Sequence, residues 1–241
     1  MRPRRAAILV VTLIVGSRSL RPTRRRALNA LAGAGAAALA PSGVSRVSAR
    51  PSSAAAPATT PPPCAAELYE RVKDRRPETW SPAERVAVER LVDEVVALRA
   101  PWPADALVGT WRLAYLQNGP GGAGVDRRVP FPELPGNEQY QIFSGAAGGG
   151  PSRVTNVGEV LGPSLRVEVK GALREADAAV TRSPKRFTAD IDSGALCAPF
   201  GCAPLPISGL GEFDGVYLDD RLRVGQNLNG GGARVVQVRV R

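Results

Sequence analysis

Three cysteines and one adjacent pair of aspartates are the side chains whose types and spacing suggest chemistry in this chain. Cys197 and Cys202 are separated by Ala-Pro-Phe-Gly, which permits a local disulfide; the alternative is two free thiols in a proline-rich loop. Cys64 is left over in either case. A C-x-x-C redox motif is absent, and three cysteines without histidine make a poor zinc site. We therefore predict no metal site.

Acid–base chemistry has little support in this sequence. The chain contains no histidine, which is the usual general base near neutral pH. Asp219 and Asp220 are adjacent, so on a strand their carboxylates point to opposite faces and do not act on one substrate. On such a strand Asp219 shares a face with Tyr217, Arg221 and Arg223, where cross-strand ion pairs set the register. We predict that the protein is not an enzyme, with no catalytic residue and no cofactor.

Alternating apolar residues supply a candidate binding surface instead. Because every second side chain of a strand points to the same face, parity assigns one face of each predicted strand to the interior. This candidate lining comprises Trp111, Leu113, Tyr115, Tyr140, Ile142, Leu165, Val167, Val169, Phe187, Ile191 and Leu222. Such a cavity holds a long hydrophobic molecule, and the hydroxyl of Tyr115 or Tyr140 fixes its polar end. The alternative is that these side chains fill the interior.

The elements that position these residues are mostly short strands. The stretch from Leu107 to Gln117, LVGTWRLAYLQ, alternates between two faces, as a strand with one buried face does. Further strands are predicted at 139–144, 153–161, 164–173, 186–192, 216–224 and 234–241, with weaker candidates near Ala178 and Leu205. About eight strands predict a mainly β fold: a closed antiparallel barrel over 107–241 that is filled by side chains or holds one small ligand.

A helical segment over 64–100 precedes these strands. Ser81-Pro82-Ala83-Glu84 forms a capping box with proline at the first helical position, and apolar residues continue at helical spacing until Pro101. The exposed face of this helix mixes acidic and basic residues, which favours packing across one end or side of the barrel over membrane or partner binding. A long glycine-rich loop is predicted at 119–136.

The charge of the chain is concentrated in its first 63 residues. They hold ten arginines and no acidic residue, whereas residues 64–241 hold 22 basic and 22 acidic groups. Binding to nucleic acid depends on clustered basic side chains that neutralise phosphates. Because the part predicted to fold is neutral, the net charge of +10 does not predict a nucleic-acid partner.

These first residues have the composition of a targeting sequence. The apolar run from Ala6 to Val15 is too short to span a bilayer, and an acid-free, arginine-rich stretch follows it. Arg24-Arg25-Arg26 then precedes a second, weakly apolar segment from Ala27 to Ala40, and Val47-Ser48-Ala49 supplies a small-residue cleavage pattern. We predict a plastid transit region with a twin-arginine-like signal over 1–49, and a Pro/Ala linker over 50–63. The alternative is one long transit peptide.

Several short motifs occur in an order that resembles the plastid lipid-associated proteins, or plastid fibrillins. They are LVGTWRLAY at 107–115, YQIF at 140–143, VTNV at 154–157 and a closing VVQVRV at 235–240. The most specific motifs are Gly109-Thr110-Trp111 and YLDDRLRV at 217–224, which contains Tyr217, Leu218, Asp219, Asp220, Leu222 and Arg223. The resemblance implies a lipocalin-like barrel preceded by helices, in which Arg239 of the last strand packs over Trp111.

The resemblance also implies a function. It implies association with thylakoids or plastid lipid globules, and binding of lipophilic molecules such as carotenoids, quinones or tocopherols. We therefore expect a carrier in the chloroplast, in the thylakoid lumen or on the thylakoid membrane surface. Two alternatives remain. One is an interaction protein that supports a prenyl-lipid enzyme or a photosynthetic complex, and the other is a lipocalin-type enzyme that acts on a xanthophyll or a quinone.

Overall fold

The computed structural model describes residues 60–118, 137–145, 151–229 and 231–240. The predicted targeting region at 1–49 and the predicted glycine-rich loop at 119–136 lie outside the described residues. Two helices begin the described part. Their bounds, and those of two short 3-10 helices, are Pro63–Val72 (α1), Pro77–Thr79, Pro82–Ala97 (α2) and Ala104–Leu107. None of the described helices has the length and apolar character needed to cross a membrane.

Helix α2 begins at the predicted capping box. The hydroxyl oxygen of Ser81 accepts a hydrogen bond from the backbone N–H of Glu84 at 3.4 Å. The carboxylate of Glu84 in return accepts from the backbone N–H of Ser81 at 2.9 Å, and it also accepts from Arg75 at 3.1 Å. These bonds satisfy backbone donors that the first turn of a helix otherwise leaves unpaired.

This capping box predicts a loss of stability in acid. The hydrogen bonds from Ser81, with that from Arg75, lower the pKa of Glu84 from 4.5 to about 2. A carboxyl whose pKa is lower in the folded state stabilises the fold above its unfolded pKa, and this contribution disappears as pH falls from about 4.5 to about 2. We expect the urea midpoint of Glu84→Gln to fall less over this range than that of the unchanged protein. If the urea midpoints of the two proteins fall equally as the pH is lowered over this range, the loss of stability does not come from Glu84.

Nine strands follow in the described residues, each antiparallel to its neighbours. Their bounds are Gly109–Gln117 (β1), Gln139–Ser144 (β2), Arg153–Glu159 (β3), Arg166–Glu175 (β4), Lys185–Ala198 (β5), Gly201–Leu205 (β6), Gly209–Leu218 (β7), Leu222–Asn227 (β8) and Arg234–Arg239 (β9). Eight of them close a ring in the order β1-β2-β3-β4-β5-β7-β8-β9, and β9 pairs back to β1. Strand β6 pairs with β5 outside this ring. The predicted antiparallel barrel with a preceding helical segment is confirmed.

The barrel wall separates two hydrophobic clusters. The outer cluster joins the two helices to β1, β7, β8 and β9, and its buried members include Leu68, Val72, Val88, Leu91, Val95, Tyr115, Val216, Leu222, Val224, Val236 and Val238. The inner cluster fills part of the barrel and includes Trp111, Phe143, Val167, Phe187, Ile191 and Phe213. The helices therefore pack on the side of the barrel, as predicted, and bury the outer face of four strands.

The predicted strand at 216–224 is wrong, because the chain turns in its middle. Between β7 and β8, the carboxylate of Asp219 accepts hydrogen bonds from the backbone N–H groups of Arg221 and Leu222 at 2.8 and 2.7 Å. It also accepts from the Tyr217 hydroxyl at 2.9 Å. An aspartate that bonds the backbone two and three residues later is typical of a turn. Asp219 therefore shapes a hairpin and does not belong to a row of cross-strand ion pairs.

The other strand predictions differ in their details. The weak candidate near Ala178 is a turn, whereas the candidate near Leu205 lies in β6. The first half of β7, GLGEF at 209–213, was not predicted as a strand. Because two of these five residues are glycines, the segment has no alternation of apolar side chains, and its pairing with β5 is what identifies it as a strand.

Candidate ligand-binding site

The strand pairing gives the barrel two distinct ends. At one end, here called the closed end, β1, β3, β5 and β8 begin and the other four ring strands finish. At the other, here called the open end, the reverse holds. Residues near the start of β1 therefore lie far from residues near the start of β2, and the two ends have different side chains.

Trp111 and Arg239 plug the closed end. Trp111 is fully buried, and its indole N–H donates to the backbone carbonyl of Leu107 at 2.9 Å. The guanidinium carbon of Arg239 lies 4.4 Å from the centre of the indole ring. Arg239 also donates to the backbone carbonyls of Val108, at 2.8 Å, and Ala106. The packing of Arg239 over Trp111 that the family resemblance implied is present.

Aromatic rings fill the interior beside this plug. Phe187 and Phe213 stack with their ring centres 5.2 Å apart, and Phe143 lies 6.3 Å from Phe213. Trp102 packs 5.7 Å from Phe187. Besides Trp111 and Phe187, three residues predicted to line the interior belong to the same cluster, namely Val167, Val169 and Ile191. This half of the barrel is a packed core.

An arginine is buried on the other side of these rings. Only 1% of the Arg223 surface is exposed, and its guanidinium carbon lies 4.7 Å from the Phe143 ring centre and 5.2 Å from that of Phe213. Its Nη1 donates to the side-chain oxygens of Gln141, at 2.6 Å, and of Gln237. Cation–π contacts and amide oxygens partly compensate a buried guanidinium.

The arginine also fixes the orientation of the neighbouring amides. Because a guanidinium only donates hydrogen bonds, Gln141 must turn its oxygen towards Arg223. Its Nε2 then donates to Oδ1 of Asn156 at 2.9 Å. Asn156 is thereby left with its own Nδ2 as a free donor, directed away from this chain of bonds.

A cavity extends from Arg223 towards the open end of the barrel. Together with its mouth it contains about 480 Å³ of space without protein atoms, part of which is open solvent. Its lining is Leu113, Gln139, Tyr140, Gln141, Asn156, Phe213, Arg223, Gly225, Gln226, Asn227, Val235 and Gln237. Most of the lining residues have polar side chains, but the surface that the lining presents to the cavity is mainly apolar.

Two buried donors in this wall have no acceptor among the described residues. They are Nε of Arg223 and Nδ2 of Asn156. An unsatisfied buried donor costs about 1–3 kcal/mol, so each favours an acceptor, either an ordered water or an oxygen atom of a ligand. Burial lowers the pKa of Arg223 to about 9, with no contribution from a neighbouring charged group. The guanidinium is therefore still protonated at neutral pH, and the cavity is positively charged.

The predicted lining residues divide between the cavity and the core. Leu113 lines the cavity, whereas Trp111, Val167, Val169, Phe187 and Ile191 lie in the packed interior. Tyr140 borders the cavity, although its hydroxyl donates to Glu138. Parity also placed Ile142 on the interior face of β2, and this was wrong because Gln141 and Phe143 are the residues that point inward.

Tyr115 and Leu222 were also assigned to the wrong face. A bulge between Leu113 and Tyr115 shifts the pairing of β1 with β9, and this reverses the parity of the strand after it. Tyr115 consequently points to the helices, where its hydroxyl donates to Glu89 at 2.7 Å. Leu222 lies in the outer cluster because the turn before β8 changes which alternate residues of the strand point inward. Leu165 precedes β4 and is only partly buried.

The polar residues of the cavity were missed by the sequence reasoning. A usable signal existed, because Gln141 and Gln237 each interrupt an apolar run, in YQIF and in VVQVRV. A polar residue at such a position reads as solvent-facing when the apolar neighbours are taken as the core face. The helices bury the outer face of β9, so its apolar residues Val236 and Val238 lie outside the barrel. Polar residues could therefore point inward.

An apolar hairpin extends β5 and β6 beyond the ring at the open end. The predicted disulfide between Cys197 and Cys202 links its two strands, and Cys64 is free. Phe200 lies in the turn of this hairpin with 95% of its surface exposed. Residues 195–207 contain no charged side chain. Two further exposed apolar residues, Leu161 and Leu210, lie at the same end.

Comparison of the chain with protein-family models, with curated proteins and with solved structures found no match. Within the described ranges, no group of three or more His, Cys, Asp or Glu side chains is placed to hold a metal ion. The cavity at the open end is therefore the feature on which a functional argument can be built.

Proposed function

We propose that this protein is a non-catalytic carrier of a lipophilic molecule, a lipocalin-like protein of the plastid lipid-associated (fibrillin) type. The observation that carries the proposal is the cavity at the open end, whose lining residues Arg223 and Asn156 each have a buried donor without an acceptor. A ligand with oxygen acceptors satisfies both donors. The predicted targeting region supports a plastid destination, at the thylakoid.

The chemistry of the cavity favours some lipophilic molecules over others. A quinone brings two carbonyl acceptors, and a tocopherol or a hydroxylated carotenoid brings hydroxyl or ether oxygen, whereas a carotene hydrocarbon brings none. The polar end of the ligand is therefore inside, against Arg223. Aromatic side chains occupy the rest of the interior, so the hydrocarbon part leaves through the mouth along Leu113 and Val235.

The apolar hairpin supports a lipid surface as the place where the ligand is exchanged. Phe200, Leu161 and Leu210 lie at the end of the barrel at which the cavity opens. Exposed apolar residues that are grouped around an opening are typical of interaction sites. The uncharged hairpin avoids the cost of desolvating charge when it enters the lipid headgroup region. The ligand then passes between bilayer and cavity without crossing water.

Replacing Phe200 with aspartate is expected to weaken binding to vesicles of thylakoid lipids by at least about tenfold. Burial of a phenylalanine side chain contributes about 1.5–3 kcal/mol, and about 1.4 kcal/mol corresponds to tenfold. Vesicle co-sedimentation measures the effect. The matched control is Val86→Asp, since Val86 is 69% exposed but lies on α2. Equal loss in both variants, or none in either, would contradict the role of the hairpin.

The carrier function is tested by extraction. The purified protein is incubated with a thylakoid lipid extract, re-isolated and analysed by organic extraction and mass spectrometry, with an unrelated barrel protein as the control. Stoichiometric recovery of one pigment, quinone, tocopherol or other lipophilic molecule supports the proposal. Recovery no higher than the control overturns it, and a partner that co-purifies with a ligand-free barrel would then favour the interaction protein.

A further inference from the structure

We propose that the cavity selects an anionic head group, the carboxylate of a long-chain lipophilic acid, which binds to Arg223 and Asn156. This inference rests on the proposed carrier function and names the class of its ligand. The hydrocarbon chain of the acid extends along the apolar side of the cavity to the open end. Two sources share this chemistry, a fatty acid and an acid with an isoprenoid chain.

The first argument is the unbalanced charge of Arg223. Its contacts are two neutral amides and two aromatic rings, and the only influence on its pKa is burial, which lowers it. No carboxylate in the described part of the chain contacts it. A buried cation is strongly unfavourable unless an anion pairs with it. The charge of Arg223 therefore has no counter-ion in the described part of the chain, and the cavity carries one uncompensated positive charge.

The other buried cation of this barrel shows how the chain treats such a charge. Lys185 is 4% exposed, and its ammonium lies 2.8 Å from the carboxylate of Glu175. It also donates to the backbone carbonyl of Val180 at 2.9 Å. Lys185 thus has an internal counter-ion, whereas Arg223 faces a cavity. The contrast places the counter-ion of Arg223 in the cavity, on a ligand.

The second argument is the number and position of the unpaired donors. Arg223 Nε and Asn156 Nδ2 are both buried, and both residues line the cavity. Two donors match the two oxygens of a carboxylate. The neutral oxygens of a quinone satisfy donors but leave the charge of Arg223 unpaired. A phosphate monoester brings more charge than one guanidinium balances.

Gly225 leaves the space that this head group needs. A Cβ atom at Gly225 would lie 3.2 Å from Arg223 Nη2 and 3.2 Å from Val235 Cγ2, closer than most real contacts. The absence of a side chain therefore keeps the guanidinium accessible from the cavity. Val235 and Leu113 line the path beyond it, and their apolar surface suits a hydrocarbon chain.

The experiment compares acids with their uncharged esters. The full-length protein is equilibrated by dialysis with labelled palmitate, methyl palmitate, retinoate, methyl retinoate and a short-chain plastoquinone. We expect at least one acid to bind at least tenfold more tightly than its ester. Palmitate alone would identify a fatty acid, retinoate alone an isoprenoid acid, and either result supports the inference.

Two variants assign the selectivity to the cavity. Arg223→Met keeps the volume and removes the charge, so it should bring the acid and the ester to equal affinity. Arg174→Met, an exposed arginine on β4, is the matched control and should keep the tenfold preference. Circular dichroism shows whether Arg223→Met is folded. Asn156→Leu removes the second donor and is expected to lower the acid affinity several-fold. This variant replaces Arg223→Met in the experiment if Arg223→Met is not folded.

The outcomes separate the inference from the carrier function. Equal affinity for acid and ester, with both bound or with the quinone bound, overturns the anion selectivity and leaves the carrier function standing. A preference for acids that persists in folded Arg223→Met also overturns the inference, because the acid then binds elsewhere. If Arg223→Met is unfolded, an unchanged acid affinity of Asn156→Leu overturns it for the same reason. If no compound of the panel binds, the anion selectivity is wrong, and the extraction experiment decides the carrier function.

Discussion

Replacing Trp111 with alanine is expected to lower the free energy of unfolding by about 3–5 kcal/mol. Trp111 is fully buried at the closed end, and the change removes its hydrogen bond to Leu107 together with the ring over which Arg239 lies. Arg239 then borders a void instead of an aromatic face. Urea unfolding, followed by circular dichroism, measures the loss.

Trp111→Phe is the matched variant for this site. It retains an aromatic ring beneath Arg239 but loses the indole N–H that donates to Leu107. We expect roughly 1–3 kcal/mol of destabilisation, mainly from the unpaired buried carbonyl. If alanine and phenylalanine cost the same, or if alanine costs less than about 1 kcal/mol, the plug does not hold the closed end together.

Replacing Gly215 with alanine is expected to destabilise the barrel by about 1–3 kcal/mol or more. A Cβ atom at this position of β7 would lie 2.1 Å from Cη2 of Trp102, which real atoms never approach so closely. The indole cannot simply swing away, because it is 7% exposed and packs 5.7 Å from Phe187. The strand or the indole must therefore shift within a packed core.

Gly158→Ala provides the control for this prediction. Gly158 lies in β3, and a Cβ atom there would meet no heavy atom within 4 Å. Both substitutions add one methyl group to a strand, so the difference in their unfolding free energies isolates the contact with Trp102. Denaturant midpoints of the two variants measure it. Equal midpoints would show that Trp102 does not pack against Gly215 as described.

Local sequence patterns predicted the structure correctly where a single local feature determines it. The capping box at Ser81 starts α2, and the alternation of Val167 and Val169 with charged neighbours identifies β4 and its inner face. The spacing of Cys197 and Cys202 matched a hairpin disulfide, which is present. In each case the signal spans a few consecutive residues, so no distant contact is needed to interpret it.

Parity failed where the backbone departs from regular alternation. The bulge near Ala114 turns Tyr115 away from the interior, and the turn at Asp219 does the same for Leu222. A single extra residue reverses every later side chain of a strand. The paired aspartates at 219–220 are typical of a turn, and this signal was available in the sequence. The bulge, by contrast, is defined by the register of β1 with β9.

The amino-acid sequence by itself determined the class of fold and the order of the helical segment and most of the strands. These follow from periodicity, capping and motif spacing, which are local properties. Only the tertiary structure decided which face of β8 and β9 became the interior, because helices bury the outer face of these strands as well. It therefore also decided that Arg223, 82 residues from Gln141 along the chain, meets it inside the barrel without a counter-ion. Closure of the barrel brings these side chains together, and this contact cannot be predicted from any short stretch of the sequence.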